Sequence, residues 1–218
     1  MKTLVVAPHP DDEVLGPGGT LLRTKSEGNS TAWLIVTEMT KGYSKEQSSQ
    51  RDKEIKEISK LFSFDKVYQA KFPTAELDTI PIKDLINEIN KTIKDFTPDE
   101  ILVPHPGDIH SDHQIVHNAI LSCTKWFRYP FIKRILAYET LSETNFDSDP
   151  NRAFIPNVFI DITDFLDKKV AAMEIYSSEI GEFPFPRSEV AIKSLARYRG
   201  SSSGFLAAES FSLLFSRI

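Results

Sequence analysis

A second cysteine is missing. Cys123 stands alone, so the chain forms no internal disulfide and nothing in it requires an oxidising compartment; the thiol is read as a buried helix residue. An excess of positive charge is missing too. Lys and Arg total 26 against 31 Asp and Glu, a net charge of -5. That balance argues against nucleic acid as a partner, because phosphate-backbone binders carry a basic footprint. Long apolar runs are also lacking. The opening stretch, residues 1–7, is broken at once by His9 and the acids Asp11, Asp12 and Glu13, too soon for a signal core or a bilayer span. The expectation is a cytoplasmic protein without a membrane span. No repeat, low-complexity tract or linker divides the 218 residues, so one domain over 1–218 is expected. With 40% hydrophobic residues, fifteen of them Phe, the chain has the material for a sizeable core.

What is present alternates. Short β-rich runs are predicted as strands at 4–7, 32–37, 66–70, 100–103, Arg134–Tyr138 and 158–160. Helices are predicted at 14–25, 46–62, Ile82–Phe96, 111–127, 163–177 and 188–198, with a last apolar segment at 208–215. The helix Ile82–Phe96 carries Leu85, Ile86, Ile89, Ile93 and Phe96 on one side. Strands alternating with amphipathic helices specify an α/β fold, with a doubly wound, mostly parallel sheet flanked by helices in a Rossmann-like single domain.

Chemistry-bearing residues gather at two places. The first strand runs straight into His9-Pro10-Asp11-Asp12-Glu13. In parallel sheets the carboxyl ends of strands form the functional edge. The bland alternative is that these acids decorate a helix N-terminus, where the dipole favours negative charge. The strand at 100–103 leads into a loop with His105, Asp108, His110, Asp112 and His113, which holds three of the five histidines. Ser111 and Gln114 have capping-box spacing, which predicts Ser111 as the N-cap with Asp112 and His113 in the first helical turn. Imidazole and carboxylate are zinc ligands, and a catalytic site uses three of them plus an open position. His9, one carboxylate from Asp11 or Asp12, and His113 supply that set. A rival pair, His113 with His117 one helical turn on, is ranked lower.

These motifs resemble the PIG-L/LmbE-type family of zinc-dependent N-deacetylases. The carriers are Ala7 to Glu13 and His110 to His113, with Arg51 and Glu54 on a helix and Thr97-Pro98-Asp99 before the second motif strand. Farther on, the run from Pro156 to Thr163, Arg199-Gly200 and Ala208 to Phe211 extend the resemblance over nearly the whole chain. Pro8 is a departure, one residue more than the family pattern between Ala7 and His9. The resemblance implies a metal-dependent amide hydrolase that removes an N-acyl group, acetyl above all, from an amino sugar or its conjugate. It implies His9, Asp12 and His113 as ligands of Zn2+, with Fe2+ as the other candidate cation. It further implies Asp11 as general base, His110 as a protonated stabiliser of the oxyanion, and Asp112 orienting the His110 ring. Arg51 and Asp78 are the substrate-binding candidates it suggests, with a plain helix-surface arginine the other reading of Arg51.

Three other readings stay open at this stage. A non-haem iron enzyme also uses two His and one carboxylate. A metal-dependent phosphoesterase needs further acids, for which Asp108 and Glu13 are available. A metal-stabilised sugar-binding module is the non-enzyme alternative. His105 and Asp108 are otherwise assigned to shaping the loop or the substrate rim. Segments 42–47, 71–80, 141–156 and 200–206 are expected to rim the pocket around a small-molecule substrate. The oligomeric state, a homo-oligomer included, is left open.

Overall fold

The computed structural model describes residues 1–40 and 42–218. Seven strands form one sheet: β1 Lys2–Ala7, β2 Ser30–Glu38, β3 Lys66–Pro73, β4 Glu100–Pro104, β5 Arg134–Tyr138, β6 Val158–Asp161 and β7 Ala208–Ser216. Their spatial order is β3-β2-β1-β4-β5-β7-β6. Pairings from β3 through β5 are parallel, while β7 runs antiparallel to both β5 and β6. The helices are α1 Asp12–Leu15, α2 Gly18–Ser26, α3 Lys45–Leu61, α4 Ile82–Phe96, α5 Ser111–Ser122, α6 Leu166–Ile175 and α7 Glu189–Ser201.

Strand alternation splits the core into two layers. Leu4 and Val6 face α4 and α5, packing with Ile89, Ile93, Val116 and Ile120. Val5 and Ala7 face the other way, with Leu21, Ile58, Met173 and Ile192. Both faces of β1 are therefore dry, which is why it reads as a continuous apolar run rather than an alternating one.

The placement of β1 decides the function. From β1 the chain winds outward through β2 and β3, then returns to lay β4 on the other side of β1, in register Leu4 against Ile101. The carboxyl ends of β1 and β4 flank the switch point of the sheet, where ligands bind in doubly wound folds. Two motifs a hundred residues apart in sequence leave neighbouring strands.

Three expected helices differ. The run 14–25 is two helices, because α1 stops at Gly16 and Pro17 supplies no N–H to continue it. At Gly16 the chain passes so close to β5 that a Cβ would lie 2.3 Å from the Tyr138 ring. The helix predicted at 111–127 ends at Ser122; the chain then turns back so that Tyr129 donates to Asn90 on α4 at 2.9 Å. The helix predicted at 163–177 begins as a 3-10 turn, Thr163–Phe165, with Asp161 accepting from the Thr163 amide at 2.9 Å. Cys123 is buried at the end of α5. No helix among the described residues is long and apolar enough to cross a membrane.

Candidate metal centre and active site

Strand β1 ends in a loop whose backbone is fixed from several sides. Pro8 extends the β1–β2 ladder by one step, its carbonyl accepting from the Thr37 amide at 3.0 Å and hydroxyl at 2.8 Å. The His9 amide donates to Asp12 Oδ2 at 2.8 Å. Asp11 has a φ of 135°, a conformation L residues rarely adopt. It is held there by its amide, which donates to Glu13 Oε2 at 3.1 Å, and by its carbonyl, which accepts from Val14 and Leu15. Glu13 is itself buried and takes a 2.7 Å bond from the Tyr176 hydroxyl. Burial pushes its carboxyl up to about 8.

The loop after β4 closes on this one. His9, Asp12 and His113 converge, with one donor atom from each lying within 4.8 Å of the others. Asp12 Oδ2 is 3.4 Å from His9 Nδ1 and 3.3 Å from His113 Nε2. Tetrahedral zinc with arms of about 2.0–2.1 Å separates its ligand atoms by about 3.4 Å. The observed spacings match that edge. His113 Nε2 is buried and makes no hydrogen bond among the described residues, despite its closeness to Asp12. A buried ring nitrogen left unbonded beside a carboxylate and a second imidazole fits a donor set for a divalent cation.

Each imidazole is backed by a carboxylate from the second loop. Asp108 Oδ2 lies 2.8 Å from His113 Nδ1, while its Oδ1 accepts from Thr144 at 2.6 Å. Asp112 Oδ2 lies 3.0 Å from His9 Nε2 and accepts from the Ala75 amide at 2.8 Å. Such partners fix the tautomer of a ligand imidazole and raise its basicity. Here the expectation for Asp112 needs correction. Its carboxylate serves His9, and it meets His110 only through its backbone amide, which donates to His110 Nδ1 at 3.1 Å. Asp108, placed at the loop or rim by sequence, is fully buried behind His113. His105 is spent on the Arg152 carbonyl at 2.7 Å, and His117 on the Pro104 carbonyl at 2.8 Å, so neither joins the cluster.

Electrostatics follow from this packing. Burial alone would raise Asp12, but the positive charges of His113 and His9 beside it hold it well below the usual carboxylate range. Burial disfavours charge on His9, yet Asp112 and Asp12 outweigh it and bring that imidazole up to about 9. His113 is likewise raised, Asp12 and Asp108 overcoming its burial. The acids thus favour positive charge at this point. Burial pushes the Asp11 carboxyl up to about 7, with Asp12 and Glu179 adding and Arg187 and His9 opposing. His110 goes the other way, to about 4, through burial and the charges of His9 and His113. That lowering, and the Asp112 amide donating to Nδ1, favour the neutral imidazole over the protonated form expected. With Nδ1 accepting from an amide, its proton sits on Nε2, and it remains a donor.

Helix α5 begins one residue earlier than the capping-box spacing suggests. His110 is the N-cap, and its ring nitrogen does the work expected of Ser111. A complete capping box occurs instead at Ser44 and Gln47, opening α3.

A cavity of about 360 Å³ opens over the cluster, lined by His9, Asp11, Asp12, His110 and His113 at its floor. Its walls include Tyr43, Lys71, Thr74, Ala75, Ser142 and Glu143, from three of the four segments expected at the rim. The fourth, 200–206, is not among the lining residues; its serines bond the carbonyls of Tyr198, Arg199 and Gly200 in a turn. Asp78 is also corrected. The 3-10 turn Leu77–Thr79 buries Leu77 and leaves Asp78 in solvent, outside the cavity lining. Arg51 reaches the cavity wall but is only 6% exposed. Its donors go to the Pro10 carbonyl at 2.8 Å, to Ser178 and to Glu179, and Nε stands 3.3 Å from Glu54. Arg51 braces the loop. The arginine that sequence reading missed is Arg187, whose Nη1 donates to Asp11 Oδ2 at 3.0 Å across 176 positions of sequence.

Asp108 offers a direct check. Asp108→Asn keeps the shape but removes the charge behind His113, and metal affinity is expected to fall by about 10–100-fold. Competition with a chromophoric chelator measures it; unchanged affinity would show that His113 needs no such support.

Residues 4–124 match the family model described as PIG-L: GlcNAc-PI de-N-acetylase. A diacetylchitobiose deacetylase of Thermococcus kodakarensis is 25% identical over 95% of this chain and 81% of its own. The conserved protein TT1542 of Thermus thermophilus superposes with a TM-score of 0.79 at 28% identity, covering 99% of this chain and 96% of its own. The fold alone is shared more widely: the 4-carboxy-2-hydroxymuconate hydratase GalB of Pseudomonas putida KT2440 gives 0.76 at 17% identity over 100% and 98% of the two chains. The family model spans both motifs and more than half of the chain, and the chain therefore belongs to the PIG-L family of metal-dependent de-N-acetylases.

Proposed function

We propose that this protein removes the acetyl group from the nitrogen of an N-acetylated amino sugar or amino-sugar conjugate, with a divalent cation, zinc before Fe2+, held by His9, Asp12 and His113. The observation that carries this is the juxtaposition of those three donor atoms, with both imidazoles about a tetrahedral edge from Asp12, and the Asp11 carboxylate beside them in the cavity lining. A cation held there would supply polarisation of the amide carbonyl and would lower the pKa of water from 15.7 to about 7.

The chain's own residues do the rest. Asp11, buried and brought up to about 7, suits a base that accepts the proton of the attacking water near neutrality. His110 carries its proton on Nε2 and donates to the oxyanion that forms as the carbonyl becomes tetrahedral. The departing amine then takes the proton that Asp11 received from the water. Asp112 and Asp108 hold the two ligand rings still while charge moves.

The rival chemistries lose their residues. A phosphoesterase with two metals would draw on Asp108 and Glu13, but the first is committed to His113 and Thr144 and the second to Tyr176 and the Asp11 amide. An oxygenase of the two-His, one-carboxylate type needs no base beside its ligands. A structural metal site would fill its coordination shell and has no use for Asp11.

The amino-sugar substrate is supported by the relative that acts on diacetylchitobiose and by the family description, which names an N-acetylglucosamine conjugate. The test is acetate release from a panel of N-acetyl amino sugars. Acetate and primary amine are expected in equal amounts, abolished by a chelator and restored by zinc. A metal-loaded protein that releases acetate from none of them would overturn the reading.

A further inference from the structure

We propose that Arg187, delivered by the connection between α6 and α7, is a positioning residue that pins one oxygen of Asp11 and leaves the other turned toward the reacting water. This rests on the deacetylase reading above.

The backbone of Asp11 is fixed, but its side chain still has two torsions to set. Its one polar side-chain partner among the described residues is Arg187, at Oδ2; Oδ1 accepts from none of them. A carboxylate is flat, so a contact at one oxygen sets the direction of the second. Arg187 is in turn set by Glu179, whose Oε2 lies 3.1 Å from the same Nη1. Glu179 grips Arg51 through its other oxygen, Oε1. Arg51 then bonds the carbonyl of Pro10, the residue before Asp11. A closed circuit results: Asp11, Arg187, Glu179, Arg51, Pro10. It ties α3 and the α6–α7 connection to the single loop that carries the base.

The two arginines differ in what they have left. Arg51 has a partner at each of its three nitrogens. Arg187 lines the cavity, and its Nε is buried without a hydrogen-bond partner among the described residues. A guanidinium whose donors were placed for folding alone would have that group satisfied. Lysine at 187 would keep the charge but not the fixed plane of the fork.

Three proteins test the inference: wild type, Arg187→Lys and Arg187→Met, all metal-loaded. For a substrate the wild type turns over, Arg187→Met is expected to lose about 10²-fold in kcat, the scale of a small misplacement of a reacting group. KM, bound metal and Tm should stay close to wild type. Arg187→Lys should fall between the two, and free methylguanidine should restore part of the Met variant's rate. A kcat for Arg187→Met within about threefold of wild type overturns the inference, as does a loss accounted for by missing metal. If the Met variant does not fold, the Lys variant carries the same comparison. A second readout needs no turnover: in a crystal of the variant the Asp11 carboxylate is expected to rotate or split. An unmoved carboxylate overturns the positioning role. A wild type silent on every N-acetyl sugar instead overturns the deacetylase reading and leaves the crystal result to decide this one.

Discussion

Asp11→Asn is expected to lower kcat by about 10²–10⁴-fold while the metal content stays at one ion per chain, the range that positioned proton transfer supplies. Asn is the right replacement for this site. It is among the few residues that tolerate positive φ, and Asp11 sits at 135°. Its amide oxygen can still accept from Arg187, so the circuit through Glu179 keeps its shape. What disappears is the ability to take a proton. The loss corresponds to about 2.7–5.4 kcal/mol of transition-state stabilisation. His113→Ala is the contrast. It deletes one of three donor atoms and is expected to lose the metal itself, along with activity that added zinc does not restore. Metal analysis of both variants beside steady-state rates separates the two roles. Equal metal loss in the two would mean that Asp11 and Asp12 do not divide the labour of base and ligand.

Much of this was legible in the sequence because it depends on local pattern. Strand β1 is apolar on both faces since both are buried, and α4 carries its stripe because one side meets the sheet. The two motifs could be assigned to one site because parallel α/β sheets put strand ends on one edge, and β1 and β4 are indeed neighbours. What escaped was decided by distant parts of the chain. The break at Gly16 is set by the Tyr138 ring, which lies far along the sequence on β5. The resemblance implied a side-chain pair of Asp112 with His110, yet the helix turn sends the carboxylate to His9 instead. Asp108 had a usable signal: a ligand imidazole requires an acceptor at its other nitrogen, and the preceding loop offered an acid. Arg187 had none, since nothing near Asp11 in sequence points 176 positions ahead. Arg51 was found as a residue but not as a brace, because a buried arginine and a substrate-binding one look alike until their partners are seen.

Glu209→Ala is expected to be the most damaging substitution away from the cavity. Glu209 stands on β7, where the final apolar segment gives no hint of a charge with work to do. Its Oε1 accepts from the Gly19 amide and its Oε2 from the Thr20 amide, both at 2.7 Å, capping the start of α2. Lys169 of α6 lies 2.7 Å from Oε1 and also donates to the carbonyls of Leu15 and Gly16, at 3.0 and 2.9 Å. One buried ion pair therefore ties β7 and α6 to the residues that immediately follow Asp12. Removing the carboxylate strands an ammonium and two amides in a region where Lys169 is only 5% exposed. Breaking such a pair costs about 3–5 kcal/mol, which for a chain of this size lowers Tm by roughly 6–20 °C. Lys169→Met should cost less, because Glu209 keeps both amide partners and the methionine fills the space of the stem. The order of the two, measured by urea unfolding and by calorimetry, is the sharper check. If Lys169→Met proved the more damaging, or if Glu209→Ala melted with the wild type, the strength of this tie would lie in packing rather than in the paired charges.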